Sequence, residues 1–227
     1  MRTKSKSTLG LTCHLFSRAL CLGAVILICS SAAAQNLFVS ARDDSGGKIL
    51  KFTWDGVQST FASGLRQPQG LAFDSAGNLF VGETYTGHIY KYTPDGVRSS
   101  FASGFVGAID LAFDRTAHTA GNLFVSGRDP GSTSNNVYKF TPDGVRTLFA
   151  SGMFAPASLA FDYQGNLFVV DLGLTEVPSA IYEFKPNGSR STFAKGEPSN
   201  DPSLDFNHLA FQPIPTLTPL TPAPKGE

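Results

Sequence analysis

Residues 71–81 read Leu-Ala-Phe-Asp-Ser-Ala-Gly-Asn-Leu-Phe-Val, which is two short apolar runs joined by a polar turn that contains glycine. Parts of this stretch recur along the whole chain. The tetrapeptide Asn-Leu-Phe-Val begins at Asn36, Asn78, Asn122 and Asn166, and Leu-Ala-Phe begins at Leu71, Leu111, Leu159 and Leu209. The Asn-Leu-Phe-Val copies are 42, 44 and 44 residues apart, and this nearly constant interval indicates that the chain is built from internal repeats.

Two further markers hold the same place in each repeat. Phe-Ala-Ser-Gly begins at Phe61, Phe101 and Phe149, with Phe-Ala-Lys-Gly at Phe193, and a turn ending in Asp-Gly or Asn-Gly precedes each copy. In the second repeat these markers predict strand a at residues 71–74, strand b at 78–81, strand c near 88–92 and strand d near 97–102. The aspartates in the a–b turns, Asp74, Asp114 and Asp162, are predicted to cap the hairpins.

Four antiparallel strands in one such unit cannot bury both of their faces, whereas units that stack around an axis can. The sequence therefore predicts an all-β fold, a β-propeller of four four-stranded antiparallel blades. The first repeat begins at strand b, and a strand a is left over at Leu209–Gln212. We expect this C-terminal strand to complete the first blade and close the ring. An open arc, or a dimer that forms a larger ring, is the alternative.

The N-terminus has the pattern of an export signal. A basic start leads into the apolar run Ala19–Ile28, and Ala32-Ala33-Ala34 then provides small residues for cleavage. We predict a signal peptide at 1–34, the propeller at 35–212 and a Pro-rich disordered tail at 213–227, with an uncleaved anchor as the alternative at the N-terminus. The protein would be secreted, periplasmic or extracellular, without a stable membrane span after cleavage.

The positions of the cysteines and the net charge limit the catalytic groups and the partners that the protein can have. All three cysteines lie within the first 34 residues, so the rest of the chain has no thiol nucleophile and no disulfide. Four of the 18 basic residues and none of the 18 acidic residues lie there too, which leaves a net charge of −4 after Ala34. This balance does not favour nucleic acid as a partner. The expected partners are a small polar ligand, a glycan or another protein.

The stretches Pro68–Asp74, Gly77–Val81 and Ile89–Gly96 resemble the NHL-repeat and SMP-30/gluconolactonase-like propellers. The resemblance covers about residues 36–212 and implies a propeller fold that usually has six blades. The lactonase branch also implies a metal site made by a Glu, an Asp and Asn residues in Pro-Asn-Gly contexts. The equivalent positions here are Gln69, Ile109, Ala157 and Asn207, of which Asn207 alone is a ligand of that type.

The b–c and d–a connections vary between repeats and meet at one end of an antiparallel meander, so we expect ligands to bind there. The candidate binding residues at this end are Arg42, Glu83, Tyr85, His88, Asp110, Arg128, Asp171 and His208. One interpretation is that Glu83 and Asp171, with Asn207 or His208, bind a divalent cation such as Ca²⁺ or Zn²⁺. The other is that Glu83–Arg128 and Asp171–Arg42 are ion pairs between blades.

These observations favour an exported binding or interaction module that acts through the variable-loop face. The sequence has no Gly-x-Ser-x-Gly, phosphate-loop or paired-histidine motif. A metal-dependent hydrolase of the SMP-30/gluconolactonase-like kind is the first alternative, and a purely structural surface repeat protein is the second.

Overall fold

A computed structural model of the chain describes residues 35–43, 46–107, 110–114, 121–173, 178–196 and 209–211. The chain separates into Met1–Ala34 and Gln35–Glu227, and every described residue belongs to the second unit. The predicted signal peptide and the predicted tail therefore lie outside the described residues. Within those residues no helix is long and apolar enough to cross a membrane.

The described residues form fifteen strands in four antiparallel sheets, which we call blades one to four in chain order. Blade one has β1 (Leu37–Asp43), β2 (Gly46–Phe52) and β3 (Gln58–Leu65). Blade two has β4 (Pro68–Phe73), β5 (Leu79–Glu83), β6 (Ile89–Tyr92) and β7 (Arg98–Ala102). Blade three has β8 (Leu111–Phe113), β9 (Leu123–Gly127), β10 (Asn135–Phe140) and β11 (Arg146–Met153). Blade four has β12 (Pro156–Phe161), β13 (Leu167–Asp171), β14 (Ala180–Phe184) and β15 (Arg190–Lys195).

The strand order a-b-c-d that the repeats predict is confirmed in blades two, three and four, and blade one has strands b, c and d. The a–b register is the same in all three complete blades, since Phe73 pairs with Leu79, Phe113 with Leu123 and Phe161 with Leu167. Every c–d pair carries a register shift near the middle of strand c. A shared bulge at one repeat position shows that each blade is the same structural unit.

The turns have the chemistry that the sequence predicts. In the a–b turn of blade two, one carboxylate oxygen of Asp74 accepts hydrogen bonds from the backbone N–H groups of Ala76 at 3.0 Å and Asn78 at 2.8 Å. Asp162 makes the equivalent bonds in blade four, which confirms the predicted capping role of these two aspartates. In the c–d turns Gly96 has φ of 85°, a conformation that costs glycine little.

Aromatic side chains join successive blades. The phenylalanine of strand b packs edge to face between the phenylalanine of strand d in its own blade and that of strand a in the next blade. Phe124, for example, has its ring centroid 4.9 Å from that of Phe149 and 5.0 Å from that of Phe161. The same triad forms around Phe38, Phe80 and Phe168. The triads around Phe38, Phe80 and Phe124 belong to the hydrophobic cores between blades.

Arginines at the start of strand d add a second connection. The Arg190 guanidinium lies 3.6 Å from the ring centroid of Tyr182 in its own blade and donates a 3.3 Å hydrogen bond to the carbonyl oxygen of Ser151 in blade three. Arg146 stacks on Tyr138 and donates to the carbonyl oxygen of Gly104 in blade two at 3.5 Å. Each of these arginines therefore anchors its own blade to the preceding one.

The C-terminal residues 209–211 lie where a strand a following blade four would lie. The Leu209 N–H donates to Ser158 Oγ at 3.1 Å, as the Leu159 N–H donates to the Asp110 carboxylate one blade earlier at 2.8 Å. Phe211 completes the aromatic triad of Phe168. Among the described residues, however, this segment has no ladder with β1, and Gln212 lies outside them. Closure of the ring therefore stays a prediction.

Phe124→Ala should lower the free energy of unfolding by about 3–5 kcal/mol, because it removes a buried ring that holds blade three against blade four. Trp54→Ala is the matched control, since this aromatic side chain is 85% exposed and lies outside the triads, so its loss should cost about 1 kcal/mol or less. Urea unfolding of both variants measures the difference. Equal losses would mean that the aromatic triads do not join the blades.

Candidate functional site

The b–c and d–a connections meet at one end of the sheets and are held together by backbone hydrogen bonds. In blade two the Thr84 N–H donates to the carbonyl oxygen of Gln67 at 3.1 Å. In blade four the Leu172 N–H donates to that of Ala155 at 3.0 Å. In blade three Arg128 and Val106 exchange two backbone bonds, of 2.7 and 3.0 Å. We call this end the variable-loop face.

Glu83, the last residue of β5, is buried and fixes the d–a connection of blades one and two. One carboxylate oxygen accepts a 2.6 Å hydrogen bond from the Arg66 N–H, and the other accepts the Thr86 hydroxyl proton. Both oxygens thus have local partners, which is what a buried carboxylate requires.

Asp171 has the same role in blade four. It is the last residue of β13 and is buried, and its two oxygens accept hydrogen bonds from the N–H groups of Phe154 at 3.0 Å and Ala155 at 2.7 Å. The two acids that the sequence singles out are therefore equivalent parts of a loop anchor.

The predicted ion pairs Glu83–Arg128 and Asp171–Arg42 do not form among the described residues, where the ion pairs are Lys91–Asp74 and Arg146–Asp129. Repeat alignment gives the reason. Glu83 and Asp171 are the second residues after Asn-Leu-Phe-Val, whereas Arg42 and Arg128 are the third. Because adjacent strand positions point to opposite faces of a sheet, the acids and the arginines cannot occupy four matching corners. Arg42 and Arg128 are exposed.

The other candidates are separated. Asp110 lies beside the inner strands, where its carboxylate accepts hydrogen bonds from the N–H groups of Leu111 at 2.9 Å and Leu159 at 2.8 Å. His88 begins strand c of blade two, and its ring stacks on Tyr90 with centroids 5.7 Å apart. Asn207 and His208 lie outside the described residues.

His88 and Asn136 occupy the same repeat position, one residue before the buried aliphatic residue of strand c. Within the described part of the chain, His88 Nδ1 and Asn136 Oδ1 are buried and have no hydrogen-bond partner. The Asn136 side-chain amide donates to the Tyr138 hydroxyl at 3.2 Å. Burial raises the pKa of Tyr138 above its ordinary value, so this phenol stays neutral under ordinary conditions.

The carboxylates of Glu83 and Asp171 do not fit a cation site as they stand, because their oxygens are engaged with N–H and O–H donors. No group of three His, Cys, Asp or Glu residues within the described ranges could hold a metal ion. The predicted Ca²⁺ or Zn²⁺ site also needs Asn207 or His208 and therefore stays a prediction.

Two exposed side chains on this face, Val106 and Phe154, were not among the residues that the sequence singled out. The residue that directly follows Phe-Ala-Ser-Gly is buried. The next position in the repeat is occupied by Arg66, Val106 and Phe154. All three are exposed on the variable-loop face. Beside them Tyr85 is 67% exposed, and the Arg66 guanidinium lies 6.0 Å from its ring centroid. The position after the buried residue could have been found as the most divergent one next to a fixed motif.

An axial cavity of about 740 Å³ lies toward the opposite end, where the a–b turns are. Its lining includes Phe38, Phe73, Phe113, Phe161 and Phe211. The lining of this cavity is thus largely apolar.

The repeated sheets define a protein of the β-propeller class. No family model matches the chain, and no curated protein matches it. Solved structures do, and at the level of the fold they confirm the resemblance to SMP-30/gluconolactonase-like propellers. A catalytically inactive virginiamycin B lyase from Staphylococcus aureus with quinupristin matches at TM-score 0.57 and 14% identity, over 78% of this chain and 56% of the lyase.

A gluconolactonase from Xanthomonas campestris matches at TM-score 0.53 and 21% identity, over 69% of this chain and 58% of that one. A protein of unknown function from Bacteroides thetaiotaomicron matches at TM-score 0.54 and 14% identity, over 72% and 45%. This chain therefore spans about half the length of the propellers it matches. At these identities the similarity establishes the architecture and carries no residue roles.

Asp171→Ala should lower the free energy of unfolding by about 1–3 kcal/mol, because it leaves the N–H groups of Phe154 and Ala155 without their acceptor. Hydrogen exchange at these two amides should accelerate. The control is Asp143→Ala, whose exposed carboxylate accepts only the Thr141 hydroxyl, and it should change stability by about 0.5 kcal/mol or less. If the difference in stability between the wild type and Asp171→Ala disappears when both are measured in a chelator, Asp171 is instead a metal ligand.

Proposed function

We propose that this protein is an exported β-propeller that binds its partner through the variable-loop face. One observation carries the proposal. A single repeat position holds three chemically different exposed side chains, Arg66, Val106 and Phe154, while the loop beneath each is fixed by hydrogen bonds. Variation on a fixed framework is the arrangement of a recognition surface.

The rigidity of these loops supports binding. A side chain on a loop that is already ordered loses less conformational entropy when a partner binds. Glu83 and Asp171 provide that order from below, since each ties a d–a connection to the end of strand b. Their engagement with backbone donors favours the binding function over the hydrolase, which would need these oxygens for a metal.

The exposed side chains on this face suit a partner that is polar overall and has an apolar part. Arginine and aromatic residues are the types most enriched where binding energy concentrates, and Arg66, Tyr85 and Phe154 are of those types. A small polar ligand, a glycan or a protein surface would use them, and the net charge of −4 after Ala34 argues against nucleic acid. Export is proposed from the N-terminal sequence, and it would place this face in a secreted, periplasmic or extracellular setting.

Tyr85→Ala and Phe154→Ala should each weaken binding by tenfold or more, on the order of a truncated anchor residue at an interface. The assay is a printed array of oligosaccharides, small carboxylic acids and peptides, followed by calorimetry with the strongest binder. Tyr163→Ala is the matched control, because Tyr163 is 72% exposed in an a–b turn at the other end of the sheets. A loss as large in the control, or no binding on the array, would contradict the proposal.

The proposal includes a closed ring of four blades, in which residues 209–212 pair with β1. Two contacts support it, namely the Leu209 N–H bond to Ser158 and the packing of Phe211 on Phe168, because both repeat contacts that strand a makes elsewhere. Phe211 also lines the same cavity as Leu37 and Phe38 of β1. Pairing would cover the free edge of β1.

Closure can be tested by a disulfide in a chain without residues 1–34, which has no cysteine of its own. Leu71 pairs with Val81 and Leu159 with Val169, so Leu209 should lie opposite Val39. The pair Val39→Cys and Leu209→Cys should form an intramolecular disulfide on a non-reducing gel. The pair Val39→Cys and Ala210→Cys should not, because its side chains point to opposite faces. Disulfide-linked dimers alone would show that the ring closes between two copies.

A further inference from the structure

Gln67 has a backbone conformation that is unusual for its residue type. Among the described residues it is the one non-glycine residue with a positive φ, at 53°. The equivalent residue in the next d–a connection is Gly107, with φ of 72°. Gly107 adopts this conformation at little cost and the equivalent Ala155 does not adopt it, whereas Gln67 adopts it with strain.

The main chain of Gln67 is fixed from both sides. Its carbonyl oxygen accepts the Thr84 N–H at 3.1 Å, and the N–H of the preceding Arg66 donates to the buried Glu83 at 2.6 Å. Its side chain is exposed. A strained residue with a fixed backbone and a free side chain indicates that the side chain itself is used.

The neighbours of Gln67 define the chemistry. Thr84, whose N–H donates to the Gln67 carbonyl oxygen, is followed in the chain by Tyr85, and the Arg66 guanidinium lies 6.0 Å from the Tyr85 ring centroid. The cluster thus presents an amide that both donates and accepts, guanidinium N–H donors, and an aromatic ring with a hydroxyl group. The Arg66 guanidinium and the buried Glu83 carboxylate carry opposite formal charges in the same cluster, and the Glu83 carboxylate accepts the backbone N–H of Arg66.

We infer that Gln67, Arg66 and Tyr85 form a site for an uncharged saccharide. The many hydroxyl groups of a sugar match the donors and acceptors of Gln67 and Arg66, and its flatter apolar face matches the Tyr85 ring. The nearly balanced charge offers no preference for an anionic or a cationic ligand. This inference rests on the proposed binding function and narrows its ligand class.

The test begins with a printed array of neutral oligosaccharides and their sialylated and sulfated counterparts, read at low and at high salt. We expect the protein that lacks only residues 1–34 to bind neutral oligosaccharides, and the amount bound should change little between low and high salt. Acidic members that bind better than their neutral counterparts, and lose binding in high salt, would overturn the inference and leave the binding function itself intact.

Two variants of Gln67 then separate the side chain from the strain, with calorimetry on the strongest neutral oligosaccharide. Gln67→Gly should raise the melting temperature by about 2–4 °C because the strain is relieved, and it should weaken binding by about tenfold because the amide is lost. Gln67→Ala should weaken binding equally without the rise. Gln164→Ala, at an exposed glutamine in an a–b turn, is the control and should change neither.

Unchanged affinity in both Gln67 variants would overturn the inference, and so would a lower melting temperature in Gln67→Gly, which would give the side chain a structural role. If Tyr85→Ala and Phe154→Ala still abolish binding to some other array member, the proposed function survives that result. If no variant on the variable-loop face affects any ligand, both fail together.

Discussion

The fold depends on the placement of one phenylalanine from strand b between two others, one from strand d of its own blade and one from strand a of the next. Centroid distances near 5 Å in edge-to-face orientation recur at all four positions. Each blade alone would leave these rings exposed, so burial requires a neighbour on the following side. The same three-ring contact extends to Phe211, which is why the last described residues lie against blade four rather than in solvent.

This packing leaves the ends of the strands free for other roles. At the turn end, aspartate and glycine close the hairpins with little variation, because each turn must satisfy its own backbone donors. At the variable-loop end, the backbone donors of the d–a connections are satisfied by Glu83 and Asp171 from strand b. Because Glu83 and Asp171 already accept the backbone hydrogen bonds of these connections, the outward-pointing side chains are not needed to hold the loops. Their identity can therefore differ between blades.

The sequence predicts the strands, the turns and the sheet order because all of these follow from local spacing. It places the candidate site less well. Glu83 and Arg42 are both charged and both follow strand b, but they differ by one position, and one position reverses the face of a strand. Apart from the Thr86 hydroxyl, the partners of Glu83 and Asp171 are backbone N–H groups of the d–a connections, which no residue type identifies. Arg146 and Arg190 were also missed, although Val-Arg and Ser-Arg before strand d repeat at the spacing of the blades.

The junction between blades four and one would differ in chemistry from the other three. The arginine that reaches the preceding blade is replaced in blade one by Gln58, and its tyrosine partner by Leu50. At the position where Leu65, Phe105 and Met153 are buried, the fourth repeat has Glu197. In a closed ring, side chains would thus contribute less at this junction, and backbone pairing between β1 and the C-terminal segment would have to contribute more. That pairing would cover the free edge of β1, which is otherwise open to solvent and to other strands.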